Sequence, residues 1–442
     1  MPSQRSAILR HAAYYAQLGA RLEQAYVSGR DGAFGALSEF DQNWLNVAHA
    51  QRNLVAIDAA ANALALLDSM PTLMFQRVAP SQLKDWFSQQ LAIATHMDDT
   101  ERLANAAGNL GAVLLRMGGL ADAHTHLEKD VDLRRELGDS KALGYALNNL
   151  GNMLASLGQP RRALDLHNEA LALLRACHDG NGISRTLNNI GGCHADMGDA
   201  TAALPWHDEA LIVAREIGDH EAEGNAVANA ALCYSDLGDD ETAIVLLDYR
   251  LTLARKLGDR LAEGAALTNL SVSVARLGHT ERALDLCESR LALALALGDL
   301  RGERAARLNL CALLGSSGRV AEAIASGEAA LALSLQFGET RSAAQALCAI
   351  AEALEKSGRY TDALSRLFDA LPLHRDADNV RGVAGTCLAI SRCAAAIQQP
   401  TQALDYARQA ARLFDSIHAP ALAGARHWLA ALEAAADNPP HV

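Results

Sequence analysis

The sequence predicts an all-α solenoid of helical hairpins, and three observations predict it. A glycine recurs every 40 residues, at Gly118, Gly158, Gly198, Gly238, Gly278, Gly318 and Gly358, with Gln398 alone departing. An acidic residue marks the other end of the period at Asp99, Asp139, Asp179, Asp219, Asp259 and Asp299, decaying to Glu339, Asn379 and Ala419. An alanine holds a third column without exception: Ala123, Ala163, Ala203, Ala243, Ala283, Ala323, Ala363 and Ala403. Eight copies without an insertion are what stacking of equal units requires, because each unit must meet its neighbour in one register.

The elements follow in chain order. Residues 1–100 read as an N-terminal helical cap outside the clean period. One amphipathic segment runs from Ala7 to Val27 and ends at Ser28-Gly29-Arg30-Asp31-Gly32. A second runs from about Leu37 to Ser69, with Phe40, Trp44, Leu45, Val47, Leu54 and Ile57 at helical spacing. A loop is expected over Pro71–Ser81, then a helix carrying Trp86, Phe87, Leu91 and Ile93. That helix falls in register with the second helix of a repeat, so 60–98 reads as a degenerate ninth unit.

Residues 101–419 are the eight repeats, each a hairpin such as 141–157 followed by 160–176. Glycine after the first helix takes the left-handed conformation at no Cβ cost. Aspartate before the next first helix accepts from its free N–H groups and complements the dipole. Alanine lets two helices approach closely. The last unit is degenerate, with Gln398-Gln399-Pro400 at its turn. Residues 420–442 supply one capping helix, Pro420 to Ala436, and a short tail from Asn438.

These residues resemble the tetratricopeptide repeat. Its apolar-small pair, large residue and later small residue correspond to Leu150-Gly151, Leu154 and Ala163, and to Ala230-Ala231, Tyr234 and Ala243. The family's usual unit has about 34 residues; a 40-residue unit resembles its long-helix branch, as in kinesin light chains. The resemblance implies a right-handed superhelix whose concave face binds proteins or peptides. The stretch RHAAYYAQLGARLE…FDQNWLNVAHAQRNLVA also looks similar to the segment after the nucleotide-binding module of large bacterial signal-transduction ATPases, where such an array is the sensor half. No G-x-x-x-x-G-K-[ST] accompanies it, so the expected alternative role is a regulatory sensor acting on a separate effector through the N-terminal helices.

In the family the inward positions fall on the columns of Tyr145, Asn148, Asn152, Ala155 and Ser156. Beside them lies a column of six asparagines, Asn109, Asn149, Asn189, Asn229, Asn269 and Asn309, ending at Ala349 and Ala389. Asparagine is a poor choice inside a helix. Its amide offers one acceptor and two donors, which suits either the main chain of an extended peptide or a hydrogen-bond ladder between repeats. Asn148, Asn152, Asn188 and Asn225 are expected to contact peptide. Arg116, Arg185, Asp196, Asp236 and Arg276 add charge of both signs, with Tyr145, Arg185 and Asp196 expected to select side chains. Further along, Glu352, Glu355, Lys356 and Arg392 give either a second, charged subsite or a solvated face.

Other chemistries find little in the sequence. His167 and His207 share a column with His194 between them, which could assemble a zinc-like three-histidine set or be plain packing; the expectation is packing, with no cofactor and no metal. No nucleophile elbow, H-E-x-x-H or phosphate loop occurs, so no enzyme is expected. With 39 Lys plus Arg against 52 Asp plus Glu, net −13, a nucleic-acid partner is not expected. Eight cysteines form no C-x-x-C pair and read as buried thiols of a cytoplasmic protein. No membrane span or signal-peptide core is present, and a solenoid end is the candidate surface for pairing with a second copy.

Overall fold

The structure is a computed structural model, and it describes residues 3–27, 32–417, 419 and 421–437. Among these the fold is all-helical, without strands. Two compact units divide the chain, Met1–Leu257 and Gly258–Val442. The first opens with α1 (Gln4–Val27), α2 (Gly32–Ala56), α3 (Ala60–Asp68), α4 (Pro71–Arg77) and α5 (Pro80–His96). Hairpins follow: α6 (Thr100–Arg116) with α7 (Leu120–Leu137), α8 (Ser140–Ser156) with α9 (Pro160–Ala176), α10 (Gly180–Asp196) with α11 (Ala200–Ile217), and α12 (His220–Asp236) with α13 (Asp240–Leu257). The second unit pairs α14 (Arg260–Arg276) with α15 (Thr280–Leu297) and α16 (Leu300–Ser316) with α17 (Val320–Gln336). It continues with α18 (Thr340–Lys356) on α19 (Tyr360–Asp376) and α20 (Val380–Ala396) on α21 (Pro400–Ser416), and closes with α22 (Leu422–Asp437).

The punctuation residues explain these boundaries. The seven turn glycines all have positive φ, from 72° at Gly158 to 84° at Gly238, and Gln398 adopts the same conformation at 61°. Asp139 accepts from the Ala142 N–H at 3.0 Å and Asp219 from the Ala222 N–H at 2.9 Å; Asn379 repeats the cap on Gly382 at 3.0 Å. Such a cap contributes about 1 kcal/mol. Asp179 is the exception, making no cap and instead lying 3.4 Å from Lys141 Nζ. All eight column alanines, from Ala123 to Ala403, have no exposed surface, so the two helices of each hairpin meet at them. Within each unit the first helices of consecutive hairpins also pack on one another: α6 on α8, α8 on α10 and α10 on α12, then α14 on α16, α16 on α18 and α18 on α20. They form the inner layer.

The N-terminal expectations need correction. The stretch Leu37–Ser69 is not one helix: it breaks between α2 and α3, where Asp58 takes a φ of 53°. The expected loop over 71–81 contains α4, which starts at Pro71 because the Glu23 carboxylate of α1 accepts from the Thr72 and Leu73 N–H groups at 2.9 and 3.1 Å. Helix α5 does hold the register of a second helix. The break at 28–31 and the tail from Asn438 lie outside the described residues, as does Pro420; α22 begins at Leu422. It seals the end through Trp428, whose indole N–H donates to Ser391 Oγ at 2.9 Å. Seven cysteines are buried or half-buried, but Cys177, at the C-cap of α9, is exposed.

Candidate functional site

The inner layer of the first unit separates the two asparagine columns. Asn148 is buried, 5% exposed, and its amide is used twice: Oδ1 meets His167 Nδ1 at 2.8 Å, and Nδ2 donates to Thr186 Oγ1 of the next hairpin. Asn188 does the same for His207 at 2.9 Å and accepts from Asn229 Nδ2 at 3.2 Å. Amides so engaged hold neighbouring hairpins together; the expected peptide contact is corrected for Asn148 because its side chain is buried and both amide atoms are taken up within the array. Asn109, Asn149 and Asn189 are different. Each is half-buried on the inner layer, and none has a hydrogen-bond partner among the described residues. Asn152 is half-buried as well, while Asn225 is exposed, with Oδ1 3.5 Å from Arg250 Nη2.

The N-terminal edge of this layer is a charged network that the chain itself enters. Arg185, on α10, lies 3.9 Å from Asp219. Burial works against its charge, yet Glu221 and Asp219 outweigh that and hold the guanidinium above its usual range. Tyr145, on α8, is half-buried beside Asp179; burial and then that carboxylate raise its phenol. Tyr26, near the end of α1, donates to Glu221 Oε2 at 2.9 Å, and Gln76 of α4 donates to both Glu221 oxygens at 3.1 Å. Burial, followed by Glu221, raises the Tyr26 phenol. At the other edge Arg116 donates to the Phe75 carbonyl at 2.8 Å. The first unit therefore brings Arg116 onto α4 and Arg185 beside the Glu221 carboxylate that α1 and α4 engage, while Tyr145 keeps to Asp179. Asp196 and Asp236 are exposed at the C-terminal ends of α10 and α12.

In the second unit Asn269 is half-buried and Arg276 exposed on α14. The three histidines do not form a metal site. His194 stacks on Trp206, ring centroids 6.3 Å apart, while His167 and His207 are bound to their asparagines; no group of three His, Cys, Asp or Glu side chains among the described residues could hold an ion. No helix among them is long and apolar enough to cross a membrane. Sequence reasoning missed Tyr26, Gln76 and Glu221, since no periodicity links residues so far apart.

Fold and inner layer together define a helical-repeat scaffold with a polar inner face. The tetratricopeptide repeat family model matches residues 102–176 and 182–248, which lie within the hairpins of the first unit. Among solved structures the chain is similar to a signal-transduction ATPase with a tetratricopeptide repeat sensor from Pyrococcus horikoshii, with a TM-score of 0.61 and 13% identity over 80% of this chain and 52% of that one. It thus spans about half the length of that protein. It is also similar to the apo quorum sensor NprR from B. thuringiensis, at 0.57 and 15% over 81% and 97% of the two chains. A Rap protein complexed with competence and sporulation factor gives 0.56 and 14% over 88% and 99%. At these identities the likeness is one of fold. A search of curated proteins finds no match.

Proposed function

We propose that the chain is a non-catalytic scaffold that holds an extended peptide or protein segment against the first-helix layer. The observation that carries this reading is the run of unsatisfied amides at Asn109, Asn149 and Asn189, half-buried at one register on three neighbouring helices. An extended main chain presents alternating N–H and C=O groups, which such amides can pair with whatever the sequence. Their polar atoms are not among the buried ones, so a bound segment exchanges bonds to water for bonds to its main chain, each contributing about 0.5–1.5 kcal/mol. The Rap protein above, solved with a bound factor, supports the reading by analogy of fold.

The test is a pull-down with the full chain beside an Asn149→Ala/Asn189→Ala variant, partners read by mass spectrometry and fold checked by circular dichroism. A partner lost only in the variant is the expected result. Partners retained equally by both would sink the reading.

A second reading, a regulatory sensor working through the N-terminal helices, is favoured by one observation. Tyr26 and Gln76, from two different helices, converge on Glu221 at the edge of the same layer. A segment bound there would compete with α1 and α4 for that carboxylate, which couples occupancy to the position of the N-terminal helices.

A further inference from the structure

Two neighbouring repeats of the second unit break the charge pattern of the outer helices. Near the end of each second helix, one column reads Arg135, Arg175, Arg215 and Arg255, then Leu295 and Leu335, then Arg375 and Asp415. Around the two leucines the helix ends hold no charge: 291–298 reads LALALALG and 331–338 reads LALSLQFG, whereas the corresponding stretch of every other repeat carries Arg, Lys, Asp or Glu. Helices α15 and α17 both pack on α16, the first through the turn at 298–299 and the second as its hairpin partner, so their C-terminal ends flank the start of α16. Leu295, Leu297, Leu300, Leu335 and Phe337 lie at that edge, each 42–59% exposed.

Single exposed apolar side chains are ordinary, but five large ones at one edge mark a contact surface. The carboxylates of the two adjoining turns are neutralised within the chain: Arg290 donates to Asp299 at 2.6 Å, and Arg304 pairs with Glu339. Arg301, next to Leu300, is exposed and keeps its charge in water at the rim.

We infer that this face pairs with the same face of a second copy of the chain. Charge decides the occupant. A net charge of −13 keeps copies apart over most of their surface. They approach only where carboxylates are absent or already matched, and an uncharged face set against its own image meets that condition. A charged partner would instead lose hydration against leucine without gaining an ion pair. Size sets the strength. About eight residues per helix end at ~1.5 Å each, across two helices of about 10–12 Å diameter, give an apolar centre on the order of 250 Å². A standard interface buries about 800 Å² per partner, so the pairing is reversible, with a dissociation constant of about 1 μM or higher. The face belongs to the outer helices, away from the end that α22 covers. It uses none of the inner-layer asparagines, so this inference and the recognition of a segment there stand or fall separately.

The test is analytical ultracentrifugation of the full chain from about 1 to about 300 μM. The expected result is a monomer–dimer equilibrium that tightens when salt is raised from about 50 to about 500 mM, because salt screens the repulsion between acidic copies and leaves apolar burial in place. Leu295→Arg/Leu335→Arg installs the residue that five other repeats carry in this column, with the fold checked by circular dichroism. It should raise the dissociation constant about tenfold or more, while Val245→Arg, at an exposed apolar position on α13, leaves it unchanged. Immobilised wild type should not capture the double variant, since a face that meets its own image needs both copies intact. A chain that stays monomeric throughout, a dimer that survives the double substitution or weakens with salt, equal loss in Val245→Arg, or capture of the double variant by wild type would each overturn the proposal.

Discussion

His167 and His207 each lie beneath a first helix where a glycine makes room: a Cβ on Gly151 would fall 2.5 Å from His167 Cε1, and one on Gly191 2.6 Å from His207 Cε1. Both rings are 1% exposed, bonded through Nδ1 to an asparagine, with Nε2 buried and unpartnered. Burial lowers both to about 4, from an ordinary value of 6.5. Between those values the unfolded chain binds protons that the folded chain declines, so stability falls as pH drops through that window. The size is on the order of 3 kcal/mol for each ring. Asp130 acts in the opposite sense: burial pushes it up to about 6 against the pull of Arg134, so below that pH the folded chain takes up a proton the unfolded chain does not. For the histidines, the urea midpoint of the wild type is expected to fall between about pH 7 and pH 4.5. His167→Gln/His207→Gln, which keeps a donor to each asparagine and does not titrate, should lose clearly less over the same range. Equal losses would show that these rings do not set the acid response.

At the scale of the helix and its turns, the periodic columns carried nearly everything that was legible. Gly118 to Gly358, the aspartate caps and the buried alanines mark helix ends and contacts that depend only on near neighbours in sequence, so a 40-residue repeat exposes them. The N-terminal helices were less legible because tertiary contacts set their boundaries: α4 begins where Glu23 caps it, 49 residues away. The asparagine columns show the same limit. Asn148 and Asn149 are adjacent, and only packing decides that the first is buried against His167 and the second left without a partner. The turn column supports a sharper expectation. Gln398 stands where seven repeats have glycine, at a φ of 61°, and a side chain there costs roughly 1–2 kcal/mol. Gln398→Gly is therefore expected to stabilise the chain by about 1 kcal/mol after the added freedom of the unfolded state is counted. The check is a rise in the thermal midpoint; a fall would mean that Gln398 contributes contacts outweighing its backbone strain.

Across the first unit, most contacts are those of a one-dimensional array, each hairpin touching the next. Glu221 breaks that rule, being 195 residues from Tyr26 and 145 from Gln76. A hydrogen bond to a charged group contributes about 1.5–3 kcal/mol, and here two donors from separate helices share one carboxylate. Removing it should therefore loosen α1 and α4 relative to the repeats without unfolding the hairpins, whose own cores of alanine and leucine are untouched. In Glu221→Ala, amide hydrogen exchange in the C-terminal half of α1 and in α4 is expected to accelerate about tenfold or more, with α8 to α11 unchanged. If the regulatory reading holds, the same variant should also bind a groove partner more tightly, because the competing N-terminal helices have lost their anchor. Uniform acceleration along the chain would mean that Glu221 supports the array as a whole. Unchanged exchange in α1 and α4 would mean that packing against α2 and α3 fixes them, leaving Glu221 no part in coupling the N-terminal helices to the inner layer.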